Sequence, residues 1–217
     1  MTNTLYCFGE SGNAYKAALC LTLAGVPWQP HFVDFFNGEA RGAEFRAINP
    51  MGEVPVLDAG GKILTQSGLI QTWVMDETGK LAGASAADRQ EILRWILFDN
   101  QKVSGTAGPL RFLMNFAPED KRDAGVIGYL TGRMQAALSI LEGVLSTRDW
   151  IACDSVSAAD IACAGYLYYP ENFNFTRADY PAISAWLTRL AHQPNWAHPY
   201  DLMPAPTLGK DDGFRDA

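Results

Sequence analysis

The chain has 217 residues, 48% hydrophobic and 12% aromatic, and a formal net charge of −7 at pH 7. This length fits one or two domains that share a core, and the acidic balance argues against nonspecific nucleic-acid binding, which needs a basic surface. Because no apolar run approaches about 18 residues and the start lacks a signal-peptide pattern, we expect a cytoplasmic protein without a membrane partner.

The first 80 residues alternate between strand and helix patterns. The predicted strands are residues 5–8, 31–35, 54–57 and 62–64. The predicted helices are residues 13–24, 43–48 and 67–77. The order is βαβ, then a ββ hairpin that turns at Gly60-Gly61, then a final helix. This pattern predicts an α/β domain over residues 1–80.

From Asp88 onward the apolar residues recur every three or four positions, which is typical of helices. One helix is predicted from Asp88 to about Phe116, with Gly105, Gly108 and Pro109 expected to interrupt it. A second is predicted over residues 127–145. The Gly- and Ala-rich residues 79–87 read as a linker. We therefore predict an all-helical bundle domain over residues 88–207, followed by a frayed polar tail from Gly209.

Residues 156–161, VSAADI, have the pattern of a helix start. Ser157 and Asp160 can form a capping box, in which each side chain bonds to the main chain of the other residue. This structural role is sufficient, so we assign Asp160 no part in catalysis.

The four cysteines are scattered and show neither a CxxC motif nor ligand spacing. The three histidines are not grouped either. The sequence therefore predicts no disulfide framework and no metal site.

A proline inside the apolar run Val54-Pro55-Val56-Leu57 is unusual, because proline gives no amide hydrogen to a sheet. A βαβ unit followed by a hairpin, with proline opening the third strand, is the thioredoxin-like plan. Three stretches, NPMGEVPVL at 49–57, LTQSGLI at 64–70 and SVSAADIACAGYL at 155–167, resemble the signature stretches of the glutathione S-transferase family. The resemblance extends from Leu5 to about Pro204.

This resemblance implies glutathione as the cofactor, a homodimer, and a cis peptide bond between Val54 and Pro55. It also implies that the outward-facing main chain of Val54 pairs with glutathione as with a strand. At the predicted helix start, Gln66 and Ser67 would hold the γ-glutamyl end, although Ser67 could simply be an N-cap. Glu53 ranks lower, since it would have to bind the ammonium of that end.

The segment FGESGNAYK at 8–16 joins the first strand to the first helix, where a thioredoxin or glutaredoxin would carry a reactive cysteine. Here Ser11, Gly12 and Asn13 stand instead. A hydroxyl or amide donor beside a bound thiol lowers its pKa, so the ligand's sulfur becomes the nucleophile. Ser11 resembles the serine of serine-type transferases, and Ser-x-Asn resembles relatives that use asparagine. Both are candidates; Tyr6 is a third, with a packing role favoured.

The electrophile pocket is expected between the two halves. Candidates on the long helix are Trp95, Phe98, Gln101, Phe112 and Phe116, for most of which core or solvent positions are the better interpretation. Arg111 could assist a polar substrate or simply be solvated. The predicted function is conjugation of glutathione to a small electrophile. Glutathione-dependent peroxide or disulfide reduction, and a noncatalytic docking role, are the alternatives.

Overall fold

A computed structural model describes residues 2–205 of the chain. Its first half contains one four-stranded sheet in the spatial order β2-β1-β3-β4. Pairing of β1 with β2 is parallel, whereas β1 with β3 and β3 with β4 pair antiparallel. The strands are β1 (Asn3–Cys7), β2 (Trp28–Phe32), β3 (Val56–Ala59) and β4 (Lys62–Thr65). The helices of this half are α1 (Gly12–Ala24), α2 (Ala43–Ile48) and α3 (Ser67–Thr78). The predicted thioredoxin-like βαβ-ββα plan is confirmed.

The first three strands begin at other residues than predicted, and the first, placed at 5–8, spans Asn3–Cys7. The second strand was placed at 31–35 but spans 28–32, because its register is fixed by pairing Trp28 with Asn3 through Phe32 with Cys7. Pro30 is tolerated there because β2 lies at the sheet edge. The third strand was placed at 54–57 but starts at Val56, since Pro55 has no amide hydrogen and the pairing begins after it.

The second half consists of helices and their connecting loops as far as residue 205, in agreement with the predicted helical domain. Its helices are α4 (Ala86–Phe98), α5 (Ser104–Arg111), α6 (Ala124–Leu145), α7 (Ala158–Ala164), α8 (Pro181–Ala191) and α9 (Pro199–Leu202). The domain limits 1–80 and 88–207 stay predictions. Residues 206 and 207 and the tail from Gly209 lie outside the described residues.

The predicted interruption at Gly105, Gly108 and Pro109 is wrong. Pro109 lies inside α5, and the chain departs from α geometry on either side of it, in π-helical turns at Asp99–Val103 and Phe112–Phe116. A Cβ at Gly105 would lie 2.7 Å from the Asn100 carbonyl oxygen, so the glycine allows the first π turn to close rather than ending the helix.

Helix α1 is the central element, with ten of its 13 residues buried. Ser11 caps its N-terminus and Gly25, with φ of 72°, ends it in the left-handed conformation. The helix packs against α3 of the first half and against α7, α9 and α5 of the second. Because α1 touches both halves, it fixes the position of its own N-terminus between them.

Three glycines allow close packing, two of them (Gly12 and Gly165) between the halves and the third (Gly108) within the helical half. A Cβ at Gly12 would lie 2.6 Å from the Tyr166 ring, and one at Gly108 would lie 3.0 Å from the Tyr166 hydroxyl. A Cβ at Gly165 would lie 2.6 Å from the Lys16 side chain. Because these positions have no side chain, the backbones of α1, α5 and the residues just after α7 can lie in close contact with Tyr166 and Lys16.

Within residues 2–205, no helix has the length and apolar character needed to cross a bilayer. In the same part of the chain, no three His, Cys, Asp or Glu side chains are grouped closely enough to hold a metal ion.

Candidate active site

A cleft of about 640 Å³ opens between the two halves, at the N-terminus of α1. Seven residues that the sequence nominated for glutathione binding and thiol activation line this cleft, although they come from three separate segments. They are Ser11, Asn13, Glu53, Val54, Pro55, Gln66 and Ser67. The fold thus brings together side chains that are up to 56 positions apart in the sequence.

Ser11 and Asn13 both keep a hydrogen-bond donor available in the cleft. The Ser11 hydroxyl oxygen accepts from the Ala14 amide at 3.1 Å as the N-cap of α1, which leaves the hydroxyl hydrogen free to point elsewhere. The Asn13 Oδ1 atom accepts from the Lys16 ammonium at 3.0 Å. Because lysine can only donate, this contact assigns the oxygen of the Asn13 amide and turns its NH₂ group away from Lys16.

The segment before β3 presents main chain to the cleft. The Val54–Pro55 peptide bond is cis, and strand pairing begins only at Val56, so the main chain of Val54 lies outside the ladder. Asn49, which is 1% exposed, holds this segment: its amide donates to the Glu53 carbonyl at 2.7 Å and its Oδ1 accepts from the Met51 amide. Asn49 was not among the predicted site residues, although it is the first residue of NPMGEVPVL.

The start of α3 forms another side of the cleft. Gln66, not Ser67, is its N-cap, so the interpretation of Ser67 as N-cap is wrong. Gln66 has φ of 70°, uncommon for a non-glycine residue and of a kind found at ligand sites. Among the described residues no side chain caps this helix end, which leaves its first amides available to an anion. Ser67 is 5% exposed, and the Gln66 amide contacts the Glu53 carboxylate at 3.4 Å.

Aromatic side chains form the part of the cleft nearest the helical half. Five phenylalanines line it, and Phe8 stacks on Phe35 at 4.8 Å while Phe36 meets Phe116 at 5.3 Å between ring centroids. The five are Phe8, Phe35, Phe36, Phe112 and Phe116. Of the five candidates on the long helix, Phe112 and Phe116 thus line the cleft. Phe8 and Phe35 were predicted as strand residues, but they lie in the loops that follow β1 and β2, and Phe36 lies in the second of these loops without any motif.

The other three candidates on that helix have structural positions. Trp95 is 2% exposed in the core, and Phe98 packs against its ring at 5.1 Å. Gln101 is exposed. The core and solvent interpretations were therefore correct for these three.

Arg111 is neither solvated nor free. It is 3% exposed and pairs with Glu171, with Nε to Oε2 at 2.8 Å. Its Nη1 donates to the Glu10 carbonyl at 2.7 Å, directly before Ser11, and its Nη2 donates to the Tyr200 hydroxyl. The expectation of a solvated arginine is wrong. Arg111 holds the Ser11 loop against the helical half.

Arg41 supplies a second cation to the cleft. It is exposed, ends a 3₁₀ turn at Glu39–Arg41, and lines the same opening. The sequence analysis did not nominate it, because no motif surrounds this turn.

Tyr6 and Cys7, the other residues considered for activating or supplying a thiol, pack against neighbouring side chains or lie in the core. The Tyr6 ring packs against His31 at 4.6 Å and Phe45 at 6.2 Å, in agreement with its predicted packing role. Cys7 is fully buried, and burial raises the pKa of its thiol to about 12. All four cysteines are buried and unpaired, so none offers a reactive thiolate near neutral pH.

The mixed sheet, the cleft at the N-terminus of α1 and the helical second half define a two-domain protein with a thioredoxin-like first domain. Residues 1–76 match the family model "Glutathione S-transferase, N-terminal domain", and residues 110–194 match "Glutathione S-transferase, C-terminal domain". The chain belongs to the glutathione S-transferase family.

Two curated relatives are similar to this chain over most of its length. "Glutathione S-transferase GstB" of Escherichia coli K12 is 27% identical over 88% of this chain and 94% of its own length. "Disulfide-bond oxidoreductase YfcG" of the same organism is 25% identical over 86% and 89%. Relatives of this chain thus carry two different named activities.

Solved structures give the same result. A possible glutathione S-transferase from Rhodopseudomonas palustris has a TM-score of 0.84 at 32% identity, covering 92% of this chain and 98% of that one. A glutathione transferase from Burkholderia graminis, solved with two glutathione molecules per subunit, has a TM-score of 0.81 at 26% identity, covering 96% and 90%.

Proposed function

We propose that this protein is a glutathione transferase, which binds glutathione in the cleft and ionises its thiol for attack on a small electrophile. One observation carries the proposal: Ser11 and Asn13 keep free donors in the same cleft as Val54 and the uncapped start of α3. A peptide thiol held between these points would meet donors that favour its charged form.

Glutathione would bind at two separated points. Its cysteinyl unit would pair with the main chain of Val54, which the strand ladder leaves unused. Its γ-glutamyl carboxylate would bind the hydroxyl of Ser67 and the first amides of α3, where the helix dipole favours an anion. The adjacent ammonium would face Glu53, whose carboxylate contacts Gln66. This division gives Glu53 a charge-compatible role.

The chemical step needs only a lowered thiol pKa. A fall of two units from about 8.5 requires about 2.7 kcal/mol of differential stabilisation. Two hydrogen bonds to a thiolate and the N-terminal field of α1 are together of that size. The thiol proton leaves to solvent, the sulfur forms a bond to the electrophilic carbon, and the leaving group or the addition product takes up the electron pair. The phenylalanine wall would hold apolar electrophiles beside the sulfur.

Glutathione-dependent disulfide reduction is the second candidate. The relative YfcG is named a disulfide-bond oxidoreductase, and this chain has no exposed cysteine among residues 2–205. Glutathione would then have to supply every reducing thiol. Turnover of chlorodinitrobenzene supports the transferase, whereas activity only with a mixed disulfide or cumene hydroperoxide supports the reductase.

We also propose that two copies associate into a homodimer. Three large apolar residues on α3 and α4 are strongly exposed for a monomer surface: Leu69 at 52%, Leu93 at 49% and Leu97 at 60%. Light scattering of the purified protein measures the mass directly, and a monomer at micromolar concentration would contradict this assembly.

The test of the site compares three single variants. The pKa of bound glutathione, measured from the ultraviolet absorbance of its thiolate, should rise in Ser11→Ala and in Asn13→Ala. It should not change in Tyr6→Phe, because Tyr6 packs against His31 and Phe45. An unchanged pKa in both of the first two variants would overturn the assignment. Absence of glutathione binding by calorimetry in the wild type would leave only a noncatalytic docking role.

A further inference from the structure

A buried cluster of polar side chains lies directly behind Asn13. Lys16 on α1 is fully buried, and its ammonium donates to Asn13 Oδ1 at 3.0 Å. The same ammonium contacts the carboxylate of Asp99 and the hydroxyl of Ser104. Ser104 in turn donates to Asp99 Oδ1 at 2.7 Å. The cluster joins the first half of the protein to the helical half through Lys16.

The π-helical turn at Asp99–Val103 makes this arrangement possible. In an α-helix, residues five apart point about 140° away from each other and could not share one ligand. Here the Ser104 amide bonds to the Asp99 carbonyl, which widens the turn and brings both side chains to the Lys16 ammonium. Local π geometry of this kind often marks functional positions in helices.

Burial strengthens the attraction between the charges of this cluster, because little water screens them. An ammonium without water needs a counter-charge and full hydrogen bonding, which Asp99, Ser104 and Asn13 provide. These three acceptors match the three donors of the ammonium. The third contact reaches Asn13, whose side chain lines the cleft, as Ser104 does. The other charged side chains that line the cleft are Glu10, Arg41, Glu53 and Arg111.

We propose that Lys16 is a positioning residue that acts through Asn13 on the sulfur of bound glutathione. Its ammonium fixes the Asn13 amide with Oδ1 inward, so that the NH₂ group faces the cleft rather than the oxygen lone pairs. A flipped amide would place two donors against each other at Lys16. Hydrogen bonding at the oxygen also polarises the amide and strengthens its N–H as a donor. No proton passes through Lys16. This inference rests on the proposed glutathione site.

The main test replaces the buried pair by apolar residues in the double variant Lys16→Met/Asp99→Leu, since such replacements commonly preserve stability. The pKa of bound glutathione should rise by about one unit, a tenfold lower ratio of thiolate to thiol. The dissociation constant of glutathione should change less than about threefold. If the double variant does not fold, Lys16→Gln/Asp99→Asn removes both charges together, leaves no buried charge without a partner, and should raise the pKa of bound glutathione in the same direction.

Two controls separate positioning from simple destabilisation. Gln71→Met removes another buried bond between the halves, from Gln71 Nε2 to the Ala158 carbonyl at 3.1 Å, and should leave the thiol pKa unchanged. In an Asn13→Ala background, the Lys16/Asp99 replacement should produce no further shift, because the coupling passes through Asn13.

The outcomes are distinguishable from those of the proposed function. A wild type that binds no glutathione overturns both proposals. A wild type with a lowered thiol pKa, and a folded double variant with the same pKa, leave the transferase proposal intact and reduce Lys16 to a structural residue. A further shift in the Asn13→Ala background would likewise overturn the route through Asn13.

Discussion

Replacing Asp160 by alanine should lower stability without selectively lowering activity. The carboxylate accepts four hydrogen bonds at the start of α7. The Ser157 amide and hydroxyl both donate to Oδ2 at 2.9 Å, while the Ile151 amide at 2.9 Å and Trp186 Nε1 at 3.0 Å donate to Oδ1. Asp160 and these three partners are fully buried, so water cannot replace the lost acceptor. Asp160 therefore joins the α7 cap, the preceding loop and α8.

The size of the loss follows from the orphaned donors. The Ser157 hydroxyl can rotate to another acceptor, but three N–H groups remain fixed and unpaired. At about 1 kcal/mol each, near the lower end of the cost of a buried unsatisfied donor, the loss is about 3 kcal/mol. We use this lower value because burial raises the pKa of Asp160 and so offsets part of its contribution. For a chain of this length the melting temperature should fall by roughly 6–12 °C.

The chain contains a matched control for this variant. Ser85 and Asp88 form the same capping box at the start of α4, but on the surface. Asp88→Ala should lower the melting temperature much less, because water can satisfy the freed amides. Calorimetry gives the melting temperatures, and conjugation rates per folded molecule should equal the wild type in both variants. A well-folded but inactive Asp160→Ala protein, or equal destabilisation by the two variants, would refute this reasoning.

Two further predictions concern packing and thiol reactivity. Gly12→Ala should lower the melting temperature, because its Cβ would lie 2.6 Å from the Tyr166 ring, whereas Gly143→Ala in α6 meets open space and should raise it slightly; equal effects of both variants in thermal melts would contradict this explanation. The four cysteines should resist Ellman's reagent at pH 8 in the native protein and all react after denaturation, since a pKa of about 12 leaves roughly one Cys7 thiol in 10⁴ ionised. Fast native labelling of any cysteine would show that its burial is transient.

Most of the features that the sequence predicted correctly came from patterns within short stretches of the chain. The alternation of strand and helix predicted the thioredoxin-like half, and the cap at Ser157 and Asp160 predicted the start of α7. The candidate site residues were found because the short stretches that contain them, such as those at Ser11 and Gln66, resemble stretches of the glutathione S-transferase family. A local motif can be recognised without knowing which residues pack against it in the folded protein.

Tertiary packing decided the features that the sequence analysis missed. The partners of Arg111 include Glu171 and Tyr200, which lie 60 and 89 positions away, so its burial has no local pattern. Lys16 and Asp99 are 83 positions apart and meet only because a π turn widens the helix. The start of β2 was misplaced because proline at an edge strand is acceptable only once the sheet order is known.

Two glycines at the junction of the halves, Gly12 and Gly165, also limit how this protein could change its ligand selectivity. At Gly12 and Gly165 almost any side chain would clash with the other half, with Tyr166 and Lys16 respectively, and would displace the Ser11 loop from its anchor on Arg111. Phe36 and Phe112, by contrast, are 39% and 41% exposed and can change without such displacement. Libraries aimed at altered selectivity should therefore randomise Phe36 and Phe112 and leave Gly12 and Gly165 unchanged.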